Sequence, residues 1–285
     1  MIDLSATFGF SDWEPPGHFD EERSVWFTDR DVINTFPDAG IDIFSAVDGN
    51  SFWFHHRNEV IAQMVEKYGD DSAFVEVGSG SGVVAADLSR RGHSVLAVEP
   101  IAEGAINGAG RGVTLSVCGD LASLELPTSS VHQIGMFDVL EHIEKSDELL
   151  AECARVLGPD GLLYVTVPAH QWLWSDFDEW NGHFRRYNRK LLRSELEAAG
   201  FTTVFSSYFF FPLLVPAAIS RLVMRRVKRE RTKEEIEQAL ADDLAPSSGL
   251  VASLLGVIHR VEARLLGKIP IVTGTSILCV ARVRT

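Results

Sequence analysis

A glycine loop and four acids at the ends of apolar runs are the first residues that could do chemistry. Glu76-Val77-Gly78-Ser79-Gly80-Ser81-Gly82 follows one apolar run and opens a helical one. A ligand there would meet backbone N–H groups and a helix N-terminus, with no Cβ atoms in the way. About twenty residues on, Glu99 ends a second apolar run, where an acid can accept both ribose hydroxyls of a nucleoside. Gly119-Asp120 ends a third, where the acid or its neighbouring amide can face an adenine ring, and Phe137-Asp138-Val139 ends a fourth. Dinucleotide loops usually carry a third glycine one position later, but here Val83 follows Gly82. The Glu76 carboxylate would repel a pyrophosphate, yet it can hold the ammonium of an amino acid. A ligand with an adenosine end and a cationic amino-acid end is S-adenosylmethionine.

A second cluster lies in residues 168–187, which hold His170, Trp172, Trp174, Asp178, Trp180, His183, Arg185, Arg186 and Tyr187. Arg185 and Arg186 could clamp a carboxylate or phosphate. His170 and His183 are candidate bases, and Trp172 and Trp174 could stack on a flat or sugar-like substrate. The competing reading has the tryptophans anchoring the loop and Arg186 paired with Asp178. His142 sits just past the fourth apolar run, at the sheet edge where open α/β folds bind ligands.

The elements that must position these groups follow from periodicity. Short apolar runs at residues 73–77, 94–98, 114–117, 133–137, 162–167 and 201–205 alternate with helical stretches, and 276–282 is a seventh strand. Such alternation predicts parallel βαβ units and an α/β sheet covered on both faces. Residues 52–68 read as a helix and 1–51 as an N-terminal cap of short helices and loops. The expected division is the cap, a core over 52–205, a helical insertion over 206–274 and a closing strand over 275–285. The insertion reads as a lid, a docking surface or a substrate wall.

The 285 residues carry 26 Lys+Arg against 40 Asp+Glu, a net charge of −14. That argues against nucleic acid as partner, because phosphate binding needs a basic face. Cys118, Cys153 and Cys279 show no metal spacing and read as buried thiols. With no basic, apolar leader at the start, the expected location is cytoplasmic. The apolar stretch near 209–219 is too short to span a bilayer, but a basic cluster follows it. Peripheral membrane contact through 206–233, with Arg225, Arg226 and Arg229 gripping anionic lipid, is therefore an expectation to test.

Phe74-Val75-Glu76-Val77-Gly78-Ser79-Gly80-Ser81-Gly82, Glu99, Gly119-Asp120 and Phe137-Asp138-Val139-Leu140-Glu141-His142-Ile143 resemble the successive motifs of class I S-adenosylmethionine-dependent methyltransferases. Leu157-Gly158-Pro159-Asp160-Gly161 resembles that family's turn before its fifth strand. The resemblance implies a Rossmann-like, mostly parallel seven-stranded sheet with an antiparallel last strand. It implies that Glu76, Gly78, Ser79, Gly80 and Gly82 line the methionine end of the cofactor. Glu99 would then meet the ribose, Asp120 and Leu121 the adenine, and Phe137 and Asp138 the sulfur, with Pro100 and Val139 as further cofactor contacts. S-adenosylhomocysteine would be the product.

The 168–187 segment resembles a subfamily with a Gly-His-x-Arg-Arg-Tyr loop that accompanies sugar or lipid-linked pathways. His142, His170, His183, Arg186 and Tyr187 are the catalytic candidates, and Arg57 on the first core helix a cofactor contact. Asp138-x-x-Glu141-His142 resembles the metal-binding stretch of some small-molecule and RNA-end methyltransferases, with Asp138 where Glu is usual; the expectation is no metal, with magnesium as the alternative. The reading is methyl transfer to a small-molecule or lipid-linked acceptor, O-methylation first and N- or C-methylation next. The rivals are an NAD(P)-dependent oxidoreductase and a non-catalytic binder of the same cofactor.

Overall fold

Runs of Val, Ile and Leu too continuous for one-sided burial form the centre of the sheet. In the computed structural model, residues 4–9, 13–30, 38–47, 51–227, 232–244, 249–266 and 268–284 are described. The N-terminal elements are α1 (Leu4–Phe8), β1 (His18–Asp20), β2 (Val25–Phe27), α2 (Asp38–Val47) and α3 (Phe52–Tyr68). The alternating core follows as β3 (Phe74–Val77), α4 (Val83–Arg90), β4 (Val95–Glu99), α5 (Ala102–Gly110), β5 (Leu115–Cys118), β6 (Gln133–Phe137), α6 (Asp147–Leu157) and β7 (Leu162–Pro168). Then come α7 (Asp176–Trp180), α8 (Arg189–Ala198), β8 (Phe201–Phe209), α9 (Phe211–Val227), α10 (Lys233–Leu244), α11 (Gly249–Leu266) and β9 (Ser276–Val283).

The sheet runs β1-β2-β5-β4-β3-β6-β7-β9-β8, with β9 antiparallel to both of its neighbours. The seven expected strands are present, and the last is antiparallel. Val77 pairs in register with Val98 on one side and Met136 on the other. That register brings Gly78, Glu99 and Phe137 to one edge. Two apolar clusters cover the two faces: Val156, Leu163, Tyr187 and Leu196 lie in one, and Ile61, Met64, Leu88 and Leu266 in the other.

Three features differ from the sequence reading. The N-terminal segment is not only helices and loops: β1 and β2 form a hairpin that extends the sheet, with β2 parallel to β5. Strands of three residues are too short for alternation to show. Strand β8 continues to Phe209, past a register shift between Thr203 and Phe205 that interrupts its pattern. Helix α5 was hidden by three glycines, which are weak helix formers. Two of them have packing roles. A Cβ on Gly104 would stand 2.6 Å from Gly80 O, and Gly108 meets the turn at Gly82.

The insertion is helical, as expected, and docks through a buried latch. Glu262 of α11 accepts from the amides of Phe210 (2.9 Å) and Phe211 (2.7 Å) and pairs with His56 Nε2 of α3 at 2.7 Å. No described helix is long and apolar enough to cross a membrane.

Candidate active site

The turn after β3 is shaped by conformations that only glycine takes freely. Gly78 has φ +69, and a Cβ there would lie 2.7 Å from Val139 Cγ2; Gly82 has φ +75, and its Cβ would lie 2.4 Å from Gly108 Cα. Val98 O accepts from the amides of Gly78 (2.8 Å) and Ser79 (3.1 Å), which ties the turn to β4. At Gly80 an added Cβ would meet open space, so this side of the turn faces the cavity. Glu99 supports the same turn: Oε2 accepts from Gly80 N at 2.7 Å and Oε1 from Ile101 N at 3.0 Å. Burial pushes its carboxyl up to about 7 against those two amides. Each oxygen keeps a second lone pair for a ligand hydroxyl.

Glu76 is the informative acid. It is 2% exposed, and its Oε2 has no hydrogen-bond partner. Burial pushes its carboxyl up to about 8, with the Arg57 charge and the Ala85 amide offsetting only part of that. A buried carboxylate oxygen without a donor is costly. A cationic ammonium is the partner it lacks, so the residues present fit the methionine end of S-adenosylmethionine. Asp120 has less to offer. Its Oδ1 accepts from Ser123 N at 2.7 Å and its own amide donates to Ser123 Oγ at 3.0 Å, both capping a short 3-10 turn. Asp120 and buried Leu121 both line the cavity.

Arg57 reaches from α3 across the end of β6. Its Nε lies 2.7 Å from Asp138 Oδ2, it donates to Phe137 O at 2.8 Å, and its guanidinium sits 5.3 Å from the Trp53 ring centre. Asp138 holds φ +60, a conformation that Asp tolerates better than most residues. The pair fixes the carboxylate at the junction of the cavity's two ends.

Beyond it lie Glu141, His142 and His183, the latter two with ring centres 4.6 Å apart and nearly perpendicular. Burial, then the charge of Asp138, pushes Glu141 well above the ordinary carboxyl range. Burial, then the charge of His183, pushes His142 down to about 3. His142 is therefore neutral near neutral pH, and a proton acceptor that weak is a poor general base. His142, His183 and Glu141 each offer one ligand atom within 4.8 Å of the others, a cluster able to hold a cation.

The 168–187 segment is organised around Asp178, which is fully buried. Arg186 grips it in a fork, Nε to Oδ1 at 2.7 Å and Nη2 to Oδ2 at 2.9 Å. His183 Nδ1 lies 2.9 Å from Oδ1, and Ser175 donates to Oδ2 through both N and Oγ at 2.9 Å. Burial alone would raise the Asp178 carboxyl; His183 and the Arg186 guanidinium overcome it and hold it down at about 2.

Several expected roles change. Arg186 lines the cavity, but its charge is spent on Asp178, and Arg185 is tied to Glu144 O and lies 3.7 Å from Glu195. Neither is placed as an anion clamp. Tyr187 is fully buried away from the cavity, its hydroxyl donating to Glu195 at 3.1 Å, because its backbone pairs with Ala169 and its ring joins the apolar core. His170 stacks on Tyr208 at 5.1 Å and bonds Thr273, also off the cavity. Trp172 and Trp174 do not line it either; Trp174 donates to Glu179. Gly82 shapes the turn without facing the cavity. The remaining candidates, including Ser79, Pro100, Phe137 and Val139, all line it. Sequence reasoning named a substrate wall among the uses of the insertion but not the α9 residues that line the cavity (Leu213, Ala217 and Arg221), and it missed the aromatic pair Phe177 and Phe184. The i, i+4 spacing of the α9 residues was readable, but nothing local said which face it would meet.

The cavity has a volume of about 1010 Å³, at the upper end of the usual 300–1,000 Å³ for ligand pockets. It runs from the glycine turn to the histidines, so it can hold two ligands end to end.

Comparison with known proteins agrees with this fold. The phosphoethanolamine N-methyltransferase 2 of Haemonchus contortus, solved in complex with S-adenosyl-L-methionine, shares the fold. The TM-score is 0.55 and the identity 16%, covering 89% of this chain and 61% of that one. A SAM-dependent methyltransferase from Archaeoglobus fulgidus does so at TM-score 0.51 and 14% identity, covering 78% of this chain and 90% of that one. In sequence, the chain is 28% identical over 179 residues to a probable S-adenosylmethionine-dependent methyltransferase of Mycolicibacterium smegmatis, covering 61% of this chain and 68% of that protein. It is 30% identical over 135 residues to one of Mycobacterium tuberculosis, covering 47% of this chain and only 46% of that protein, less than half its length. The model of the methyltransferase-domain family matches residues 53–205, more than half of the chain, and with that match the chain belongs to the S-adenosylmethionine-dependent methyltransferases.

Proposed function

We propose that the enzyme methylates a hydroxyl of a small-molecule or lipid-linked acceptor. The observation that carries the reading is the single cavity joining the glycine turn to Glu141, His142 and His183. When bound, the cofactor supplies an electrophilic methyl group on a positively charged sulfur. The protein's own groups do the rest. Glu76 accepts the ammonium, Glu99 the ribose hydroxyls, and Leu121 and the Asp120 side chain flank the base. Asp138, held by Arg57, keeps the negative charge of the β6 end in place. Holding the acceptor aligned in the cavity supplies much of the barrier reduction, and as the C–O bond forms and the cofactor's C–S bond breaks, the hydroxyl proton passes to a carboxylate or imidazole lining that end.

The acceptor end supports a hydroxyl over a carboxylate. The arginines that would clamp an anion are paired within the protein, and Glu141 adds a buried acid there. Phe177, Phe184, Leu173 and Leu213 give the cavity an apolar side, which suits an acceptor with a hydrophobic body.

The insertion supports delivery from a membrane surface. Leu213, Ala217 and Arg221 turn one face of α9 to the cavity, while Phe211, Val215, Ile219, Leu222 and Val223 are exposed on the other. Val257, Val261 and Leu265 of α11 are exposed as well. The sequences of these two helices carry five arginines against one acid, Glu262, whose carboxylate is consumed in the latch. In a chain of net charge −14 that is a local basic excess, suited to anionic lipid. The side chains of Arg225 and Arg226, and Arg229 itself, lie outside the described residues.

The test is a product assay with labelled S-adenosylmethionine and a panel of hydroxylated lipids, sugars, amines and carboxylic acids. A hydroxylated acceptor gaining one methylene in mass, with S-adenosylhomocysteine released in equal amount, supports the reading. Turnover of amines alone overturns it.

A further inference from the structure

We propose that Glu141, His142 and His183 form a binding site for a divalent transition-metal ion at the acceptor end of the cavity. The three come from separate segments: the turn after β6 and the loop after α7. The Phe184 amide donates to Glu141 O at 2.7 Å and fastens one segment to the other. Their ligand atoms lie within 4.8 Å of one another, and all three residues line the cavity.

Glu141 shows that something is missing. It is 1% exposed, and neither carboxylate oxygen has a hydrogen-bond partner. A buried acid in this state costs several kcal/mol unless it is paired or bound to a metal. Asp138, tethered by Arg57, adds a second negative charge beside it. The Arg57 and Arg186 guanidinium groups offset that charge, so it is the two unpartnered oxygens of Glu141 that call for a cation.

His183 is oriented as metal-binding imidazoles are. Its Nδ1 donates to the buried Asp178, which fixes the tautomer and leaves the lone pair on Nε2. That lone pair now accepts from Asn181 Nδ2 at 2.8 Å, so an ion would displace this amide. Arg186 and Ser175 hold Asp178 in place behind it. Asp178 is a positioning residue, acting through His183.

The donor set names the class of ion. Magnesium and calcium prefer all-oxygen shells, whereas two imidazoles and one carboxylate suit zinc, iron or manganese. Three protein ligands leave positions open for an acceptor oxygen. The ion's purpose, holding an acceptor hydroxyl and lowering its pKa, rests on the methyl-transfer reading. Its binding does not, and is measured apart from it.

The experiment uses the full chain, stripped with chelator and dialysed. Zn(II) is titrated by calorimetry and Co(II) by visible absorption. Wild type should take up one equivalent of either, with the Co(II) bands of mixed nitrogen and oxygen ligation abolished by Zn(II). Glu141→Gln and His183→Ala should each weaken binding at least tenfold while S-adenosylhomocysteine is still bound, which reports a folded cofactor end. Because those variants can fail to fold, pulsed EPR on Cu(II)-loaded wild type provides a second readout, expected to show two imidazole nitrogens. Absence of saturable binding, absence of two nitrogen couplings, or folded variants with unchanged affinity would each overturn the site. Failure of cofactor binding with intact metal binding would count against the methyl-transfer reading alone.

Discussion

Asp178 is the residue on which the 168–187 loop depends, and its removal gives a sharp prediction. In Asp178→Ala, the buried Arg186 guanidinium, His183 Nδ1 and both Ser175 donors lose their acceptor at once. Breaking a buried pair in this way costs about 3–5 kcal/mol. The carboxyl itself gives a second estimate. Held at about 2 when folded against an ordinary 3.8, it contributes about 2 kcal/mol at neutral pH. Because the folded value is the lower one, that stabilisation is full above 3.8 and fades as pH falls toward 2. Urea unfolding followed by tryptophan fluorescence reports directly, since Trp174 and Trp180 flank the network. The variant should lose about 3 kcal/mol near neutral pH, and its gap from wild type should narrow in acid. A loss below about 1 kcal/mol, typical of an exposed ion pair, or a gap independent of pH, would refute the reasoning.

Four further tests have expected outcomes. Glu76→Gln should weaken S-adenosylmethionine binding about 10- to 100-fold by calorimetry, since a charged hydrogen bond is lost. The same variant should stabilise the protein without added ligand: the folded pKa of about 8 lies above the ordinary 4.5, so the stability lost through ionisation grows between those values and is complete above 8. Gly78→Ala should cost at least about 1 kcal/mol in thermal unfolding and weaken cofactor binding, because the new Cβ meets Val139 in a left-handed backbone. Glu262→Ala strips the acceptor from the Phe210 and Phe211 amides and from His56, and should cost about 2–4 kcal/mol and raise hydrogen exchange in α11. Flotation with phosphatidylglycerol vesicles should carry the protein at low salt, and phosphatidylcholine vesicles should carry much less; Ile219→Asp should reduce the former several-fold, and equal flotation with both lipids would count against an anionic surface.

The cofactor end was legible because its chemistry is local. The glycines, Glu76 and Glu99 sit at strand ends that apolar runs announce, and the parallel register then brings those ends together. The 168–187 loop was legible only as composition. Sequence showed that residues 168–187 hold too many polar and aromatic groups for a connection, but not which of them turn inward. His170 and Tyr187 looked as able to act as His183, and only their place relative to the cavity separates them. Arg186 had two readings in the sequence, and the structure takes the pairing with Asp178. The latch between His56 and Glu262 joins residues 206 positions apart, a separation at which no spacing rule operates. The β1–β2 hairpin was missed for the opposite reason: its strands are too short for any period to register.

The most direct test of the central claim is calorimetry of the folded chain with S-adenosylmethionine, S-adenosylhomocysteine and NADH. The glycine turn, with Glu76 lacking a donor and Glu99 beside it, predicts one-site saturable binding of the first two and none of the dinucleotide. A folded protein, free of carried-over ligand, that gives no heat with either adenosyl compound, or that binds NADH in their place, would contradict it.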